Sequence, residues 1–329
     1  MEDRKKDHIA LAFKANLSNS ENDQRFSYEP LLAAHPNGET SPIKFLGKTM
    51  QHPFWISSMT GGTKHANEIN RNLAKVAQKY GLGMGLGSCR SLLDSDRNLS
   101  DFNVRSLIGD EQPFYTNLGI AQLEQLIDND ETDKILHLND TLKADGLIIH
   151  INPLQEAFQP EGDRFKYAPI ETIKKLISKL NIPIIVKEVG QGMGYESLKA
   201  LLQLDIEAIE FGAFGGTNFT KLEQLRNTNI YEQSDSFSYV GHTAEEMTLM
   251  VNHILEEIEP KCKQLIISGG INNVLDGYYL TQISKLPAVI GMGSEFLKHA
   301  IIDFDDLDEF VSELVEGYKL ASHFLRVRQ

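Results

Sequence analysis

LIIHINPLQEAFQPEGDRFKYAPIETIKKLISKLNIPIIVKEVG, residues 147–190, spells out one strand, a polar loop, a helix and the next strand. The apolar run Leu147, Ile148, Ile149 stops at His150, and Asn152, Gln155, Glu156, Gln159, Glu161, Asp163 and Arg164 crowd the segment that follows. Beyond them Ile170, Ile173, Leu176, Ile177 and Leu180 recur three and four apart, the apolar face of a helix lying on a sheet. A second apolar run, IPIIV, then ends on Lys187. Buried strands thus deliver polar groups to one edge, and a helix carries the chain back to begin again.

The same alternation occurs eight times from Pro53 onward, with strands predicted at PFWISS, LGMGLGS, PFYTNLG, DGLIIHI, PIIVKEVG, EAIEFGA, QLIISGG and AVIGMG. Helices are predicted between them, at ANEINRNLAKVAQKY, weakly over 97–108, near 122–127, at PIETIKKLISKL, YESLKALLQL, TAEEMTLMVNHILEEI and NVLDGYYLTQISKL, and finally at DFDDLDEFVSELVEGYKLASHFL. Eight such units predict an α/β fold, a closed (β/α)8 TIM barrel over 53–329, preceded by a short N-terminal extension over 1–52; a doubly wound open sheet is the alternative. In a barrel the functional groups belong at the C-terminal ends of the strands, where Ser58, Thr60, Ser88, Asn117, His150, Lys187, Thr217, Ser268 and Ser294 fall.

The 329 residues are 41% hydrophobic and 24% charged, enough for a sizeable core in a soluble chain. A net charge of −14 argues against nucleic acid as a partner, so an anionic small molecule must find a local cationic pocket. Cys89 and Cys262 have neither a disulfide framework nor a metal-binding spacing. The N-terminus MEDRKKDHIALAFKAN lacks the apolar core of a signal peptide, and no run reaches the eighteen or so apolar residues of a membrane span. The expectation is a cytoplasmic protein that does not engage a membrane.

Several motifs suggest chemistry. In GLGMGLGS (81–88) the glycines fall on alternate residues of a strand and no helix follows the third, so this is not a dinucleotide fingerprint; it suits a strand closely approached by a flat ring or a phosphate. SGGI (268–271) and GMGS (291–294) are either two glycine turns or a phosphate cup after strands 7 and 8. Lys187, at the end of an apolar strand, must meet an anion or water. RKKDH (4–8) is either a solvated basic end or a movable set of phosphate ligands, and Ser88 and Arg90 offer similar chemistry on the barrel. Cys89 lacks an adjacent base and is not a candidate nucleophile, while His65 and His242 suit solvent or capping roles. Glu156, beside two amides, is either a surface carboxylate or a single hard ligand for Mg²⁺, and no His or Cys cluster suggests zinc.

HINPLQEAFQPEGDRF resembles the HxNxxQEAxQPEGDRxF signature of type 2 isopentenyl diphosphate isomerase. RKKDHI, SSMTGGT, GLGSCR, TNLG, VKEVGQGM, GGTNF and SGGI extend the resemblance from residue 4 to about residue 300. It implies a (β/α)8 barrel that binds FMN, uses Mg²⁺ and NAD(P)H, and interconverts isopentenyl and dimethylallyl diphosphates. By the same resemblance Arg4, Lys5 and His8 would hold the diphosphate with Ser88, Arg90, His150 and Asn152, Gln155 would lie by the alkene, and Glu156 would bind Mg²⁺. Gln155 and His150 are the implied catalytic side chains. The FMN contacts would be Ser58, Met59, Thr60, Ser88, Asn117, Lys187 and Thr217, with the phosphate on Gly269, Gly270, Gly291, Met292 and Gly293. The chain departs from the family at YVGHT (239–243), where WGIPT is common, and at Asn272, where an arginine often follows SGGI.

The implied chemistry has a physical rationale. Shifting a double bond needs a proton added at one carbon and removed from another, and a carboxylic acid is poorly matched to an unactivated alkene. Reduced FMN as acid and base, with NAD(P)H only reducing it at the outset, would meet that need. The diphosphate would supply binding energy that orients a featureless hydrocarbon tail. Competing readings are an FMN-dependent hydroxy-acid oxidase, although FGAFGGTNF after the sixth strand lacks the histidine base of those enzymes, and a non-catalytic flavin-binding barrel. Barrels of this kind frequently assemble, so a homo-oligomer is expected.

Overall fold

The computed structural model describes residues 2–38, 41–58, 64–226 and 232–328. Eight parallel strands form a closed barrel: β1 (Phe54–Ile56), β2 (Gly83–Gly85), β3 (Phe114–Gly119), β4 (Gly146–Ile151), β5 (Ile184–Glu188), β6 (Ala208–Glu210), β7 (Leu265–Ser268) and β8 (Ala288–Met292). Each pairs with its successor in sequence, and β8 pairs with β1 through Ile290–Phe54, Gly291–Trp55 and Met292–Ile56. That last ladder separates a barrel from an open sheet, so the predicted (β/α)8 barrel stands and the doubly wound alternative falls.

Side chains alternate across a strand, and the register sorts them into two sets. Phe54, Ile56, Leu147, Ile149, Val186, Ile267 and Ile290 face outward into the main core beneath the helices. Facing inward, Trp55, Tyr115, Ile148, Ile185, Ala208, Ile266 and Val289 fill the lower barrel and pack on Phe45, Leu46 and Met50. The latter belong to a hairpin, Ile43–Phe45 with Lys48–Met50, that plugs the N-terminal end. Lys48 Nζ and Arg105 Nη2 both reach Asp145 Oδ1, at 2.6 and 2.8 Å, linking the plug to the start of β3, where the Phe114 N–H donates to Asp145 Oδ2 at 2.9 Å. Two residues further along the strands the inward set turns polar: Ser57, Asn117, His150, Lys187, Glu210 and Ser268.

The alternating glycines of β2 serve this interior. A Cβ on Gly83 would lie 2.4 Å from the Trp55 ring, so the flat group that approaches this strand closely is the chain's own single indole. Around the barrel, helices include Lys64–Tyr80, Ile120–Asp128, Pro169–Lys179, Tyr195–Leu202, Ala244–Glu257, Val274–Ile283 and Phe304–Phe324. The weak helical segment over 97–108 resolves into two single turns, Leu99–Phe102 and Arg105–Ile108. Helix Asp133–Leu142 was not anticipated, because its Asp- and Asn-rich sequence reads locally as a turn, yet Ile135, Leu138 and Leu142 are buried beneath it. Before the barrel, Phe26–Tyr28 pairs antiparallel with Leu325–Val327, tying the two ends of the chain together. Helix Glu2–Leu11 is solvent-exposed over its described side chains. Among the described residues no helix is long and apolar enough to cross a membrane.

Gly83→Ala is expected to cost about 2–4 kcal/mol, because neither the backbone nor the enclosed indole can yield without cost. Denaturant unfolding followed by the fluorescence of Trp55 measures the loss, and an unchanged midpoint would contradict this account of the barrel interior.

Candidate active site

The polar layer at the C-terminal mouth is built strand by strand. On β3, Asn117 Nδ2 donates to the Leu86 carbonyl at 3.0 Å, which orients its Oδ1 toward His150 Nδ1 at 2.7 Å. An amide oxygen only accepts, so the histidine proton sits on Nδ1 and Nε2 keeps its lone pair. Burial, reinforced by the nearby Lys187 charge, pushes the His150 pKa down to about 4. The imidazole is therefore neutral at neutral pH.

Lys187 ends the apolar stretch of β5 inside the barrel. Its Nζ donates to the Glu188 carbonyl at 2.7 Å and lies 3.8 Å from Glu210 Oε1 on β6. Alternation turns the neighbouring Glu188 the other way, where Oε2 accepts from the N–H groups of Gly190, Gln191 and Gly192 at 2.7, 2.7 and 2.8 Å. Burial raises the Glu188 pKa, and those three N–H groups oppose the rise. The carboxylate shapes the loop after β5 and leaves Lys187 directed at the mouth.

The segment after β4 is partly helical, Pro153–Phe158, with Pro153 at its first turn as φ restriction favours. Asn152 Nδ2 donates to Gln155 Oε1 at 3.1 Å and to Glu156 Oε1 at 2.9 Å, while Glu156 Oε2 accepts the Asp163 N–H at 2.7 Å. Helix Ile120–Asp128 clamps the far side. Gln122 Nε2 reaches Asp163 Oδ2 at 3.0 Å, and the Glu124 carboxylate accepts the N–H groups of Lys166 and Tyr167 at 2.9 and 3.1 Å. Arg90, exposed on the loop after β2, joins this clamp through Asp163 at 3.2 Å.

Two cavities open side by side. One, of about 230 Å³, is lined by Ser57, Ser58, Lys187 and Thr217 together with the glycine pairs Gly215–Gly216 and Gly269–Gly270 and the turn Gly291–Gly293. Gly269 takes φ +91°, and a Cβ there would lie 2.1 Å from the Ala213 carbonyl, so no other residue lets the two glycine loops pack so closely. Ser57 Oγ and Ser58 Oγ are buried at this cavity and have no hydrogen-bond partner among the described residues. The second cavity, of about 310 Å³, is bordered by Asn152, Leu154, Gln155, Gln191, Met193 and His242, and shares Val189 with the first.

Most of the residues singled out in the sequence thus converge. Ser58, Lys187, Thr217, Gly269, Gly270, Gly291, Met292 and Gly293 surround one cavity, and Asn152 and Gln155 border its neighbour. Asn117 and His150 are joined by their own hydrogen bond. Ser88 and Arg90 stand exposed on the rim. Glu156 is buried and bonded through both oxygens, with one lone pair left on each. Met59 and Thr60 lie outside the described residues. Arg4, Lys5 and His8 are on the exposed N-terminal helix and make no hydrogen bond or ion pair among the described residues. Asn272 braces the glycine loop, donating from Nδ2 to the Gly270 carbonyl at 3.3 Å. Both cysteines are buried, which pushes each thiol up to about 12, so Cys89 is unsuited to nucleophilic work. Among the described residues no group of three or more His, Cys, Asp or Glu could hold a metal. The sequence assigns no role to Ser57, Glu210 or the Gly215–Gly216 pair, although GGTNF is among the motifs that carry the resemblance. The two glycines before Thr217, similar to those of SGG after β7, were the available signal for that pair.

A barrel with a polar inner layer, a glycine cup and ionisable side chains gathered at its C-terminal mouth has the organisation of a (β/α)8 enzyme. Solved structures agree on the fold. A double mutant of flavocytochrome b2 with pyruvate bound superposes with a TM-score of 0.61 at 13% identity, covering 95% of this chain and 77% of that one. A mandelate oxidase mutant with the monooxide FMN adduct gives a TM-score of 0.57 at 12% identity, covering 92% and 88%. No family model matches the chain. Curated relatives are closer in sequence. The isopentenyl-diphosphate delta-isomerase of Rickettsia felis is 33% identical over 325 residues, 97% of this chain and 91% of that protein, and the enzyme of the same name from Rickettsia akari is 32% identical over 324 residues. The chain belongs to the isopentenyl-diphosphate delta-isomerase family and is an isomerase.

His150 carries a pH signature. Its pKa is about 4 when folded against an ordinary value of 6.5, so the unfolded chain binds the extra proton first. Its contribution is fully present above pH 6.5 and is lost as pH falls from there through 4, up to about 3 kcal/mol. His150→Gln should flatten that part of the stability profile. Denaturant midpoints of both proteins between pH 4 and 7 test this, and parallel profiles would refute the assignment.

Proposed function

We propose that the protein is a flavin-dependent, type 2 isopentenyl-diphosphate isomerase. It would interconvert isopentenyl and dimethylallyl diphosphates with FMN at the barrel mouth, Mg²⁺ on the diphosphate and NAD(P)H as initial reductant. The observation that carries the reading is the meeting, at one mouth, of the glycine cup and Lys187 with the Asn152, Gln155 and Glu156 cluster.

The residues present fit the cofactor. Glycine loops leave backbone N–H groups open to a phosphate, the unpartnered Ser57 and Ser58 hydroxyls call for a ligand, and Lys187 and Thr217 line the same cavity. Bound and reduced, FMN would supply the acid and base that an unactivated alkene requires and emerge unchanged. Mg²⁺ also fits: Glu156 offers one free lone pair per oxygen, and a single carboxylate with waters and diphosphate oxygens is a common way to hold this ion.

The chain's own side chains bind and orient. Asn152, fixed by its bonds to Gln155 and Glu156, keeps a buried and unpartnered Oδ1, and Gln155 faces the second cavity, where Leu154, Val189 and Met193 can exclude water from a hydrocarbon tail. Ser88, Arg90, His150 and Asn152 would hold the diphosphate, with Arg90 exchanging Asp163 for a phosphate oxygen. A neutral His150 has only an acceptor at Nε2, so an approaching dianion favours protonation at that atom, and binding then takes up a proton. Arg4, Lys5 and His8 would reach the diphosphate from the N-terminal extension. A hydroxy-acid oxidase reading finds no histidine in FGAFGGTNF after β6 to serve as base.

Anaerobic incubation with FMN, NADPH, Mg²⁺ and isopentenyl diphosphate should yield dimethylallyl diphosphate without stoichiometric loss of NADPH. Absence of product, or net oxidation of NADPH matching product, would overturn the reading. Gln155→Ala should lower turnover by roughly 10²-fold or more while FMN affinity changes less than about threefold, and Glu156→Gln should raise the Mg²⁺ concentration needed for half-maximal rate.

A further inference from the structure

Glu210 faces inward at the mouth and has no part in the proposed chemistry. It ends β6 in the run Ala208–Glu210, its side chain is fully buried, and neither carboxylate oxygen has a hydrogen-bond partner. Burying a carboxylate with nothing to replace its hydration is costly. Among the described residues its sole ion-pair partner is Lys187, 3.8 Å away on the paired strand β5. On its other side β7 presents Ile266 and Ser268, and the Ser268 hydroxyl is already engaged by the Gly212 N–H at 3.0 Å.

Lys187 has three N–H donors. One is spent on the Glu188 carbonyl at 2.7 Å, and Glu210 attracts the ammonium from within the barrel. The side chain still lines the 230 Å³ cavity, so a donor remains for whatever occupies it. The other titratable groups around this ammonium are His150 on β4, which is neutral, and Glu188, whose carboxylate is committed to the loop after β5.

We infer that Glu210 is a positioning residue: from beneath the cavity its carboxylate holds the Lys187 side chain in place and aimed at the barrel mouth. The inference rests on the reading of that cavity as the cofactor site, since only then does the aimed ammonium have a function, and Glu210 itself touches no ligand. It follows from strand pairing that puts one acid and one base on adjacent inward positions, with the Glu156 and Glu188 carboxylates engaged elsewhere.

Two measurements on the full chain test it. The first is acetylation of Lys187 by acetic anhydride at pH 8, followed by mass spectrometry with the other lysines as internal reference. A side chain no longer held by the carboxylate reaches the reagent more freely, so Glu210→Gln should speed modification of Lys187 selectively by roughly tenfold, and Glu210→Asp, which keeps the charge, should restore the slow rate. The second is a stability cycle. Lys187→Gln alone leaves a buried carboxylate uncompensated and should lower Tm by roughly 6–10 °C, whereas the Lys187→Gln/Glu210→Gln double variant should regain most of that loss. An unchanged acetylation rate in Glu210→Gln, or a double variant less stable than Lys187→Gln, would overturn the inference. Added FMN should protect Lys187 of the unmodified protein; failure of protection alone would count against the cofactor site and leave the coupling between Glu210 and Lys187 standing.

Discussion

The ladder between β8 and β1 is the constraint on which the rest of the molecule depends. Once Gly291 pairs with Trp55, every strand has two neighbours and no edge is left, and the period of two divides each strand without exception into an outer and an inner face. Outer residues can be apolar throughout because helices cover them. Inner residues face each other across a narrow space, and their character is set by height. Trp55, Ile148, Ile185 and Ile266 fill the lower level against the hairpin plug, and one pleat higher the same strands present Ser57, His150, Lys187 and Ser268. A site at the mouth is thus a product of the register, and a shift of one residue on any strand would bury its polar group among the helices.

That placement has consequences for energetics. A barrel mouth is poorly hydrated, so each polar group must be satisfied by another or by a ligand. Asn117 satisfies His150, loop N–H groups satisfy Glu188, and Asn152 and the Asp163 N–H satisfy Glu156. Among the described residues the Ser57 and Ser58 hydroxyls, Asn152 Oδ1 and the Glu210 carboxylate oxygens lack a hydrogen-bond partner, and the two serines lie beside glycine loops held close by the conformation of Gly269. The loop after β4 is rigid for a related reason: Glu124, Gln122 and Asp163 fix it from the neighbouring helix, so Gln155 and Glu156 are held by packing and hydrogen bonds before any substrate arrives.

Much of this was legible in the sequence, for identifiable reasons. Apolar runs ending in a polar residue mark barrel strands, and Lys187 at the end of IPIIV has few places to go except the mouth. Glycine pairs after strands 7 and 8 mark a cup because close approach of two loops excludes side chains. What escaped was set by tertiary context. Glu210 lies in the predicted strand EAIEFGA, and only pairing with β5 reveals that it faces Lys187. Helix Asp133–Leu142 escaped because three buried residues among Asp, Asn and Thr give a weak pattern until a strand lies beneath them. Arg4, Lys5 and His8 could be flagged by type, but an exposed helix carries no periodicity that says which surface it will meet.

The same fold hosts hydroxy-acid oxidation in other proteins, so the barrel does not choose the chemistry; the mouth does. Here the imidazole of His150 is neutral and lacks a proton at Nε2, the ammonium of Lys187 is held between a carbonyl and a buried acid, and Glu188 and Glu156 are tied up by backbone and amide donors. None of these groups is a strong acid free to protonate a substrate, and none is an unencumbered base. Their common property is fixed orientation. Such a mouth presents oriented polar groups beside the apolar Leu154, Val189 and Met193 of the second cavity, a combination suited to binding a partly polar, partly apolar molecule in one pose.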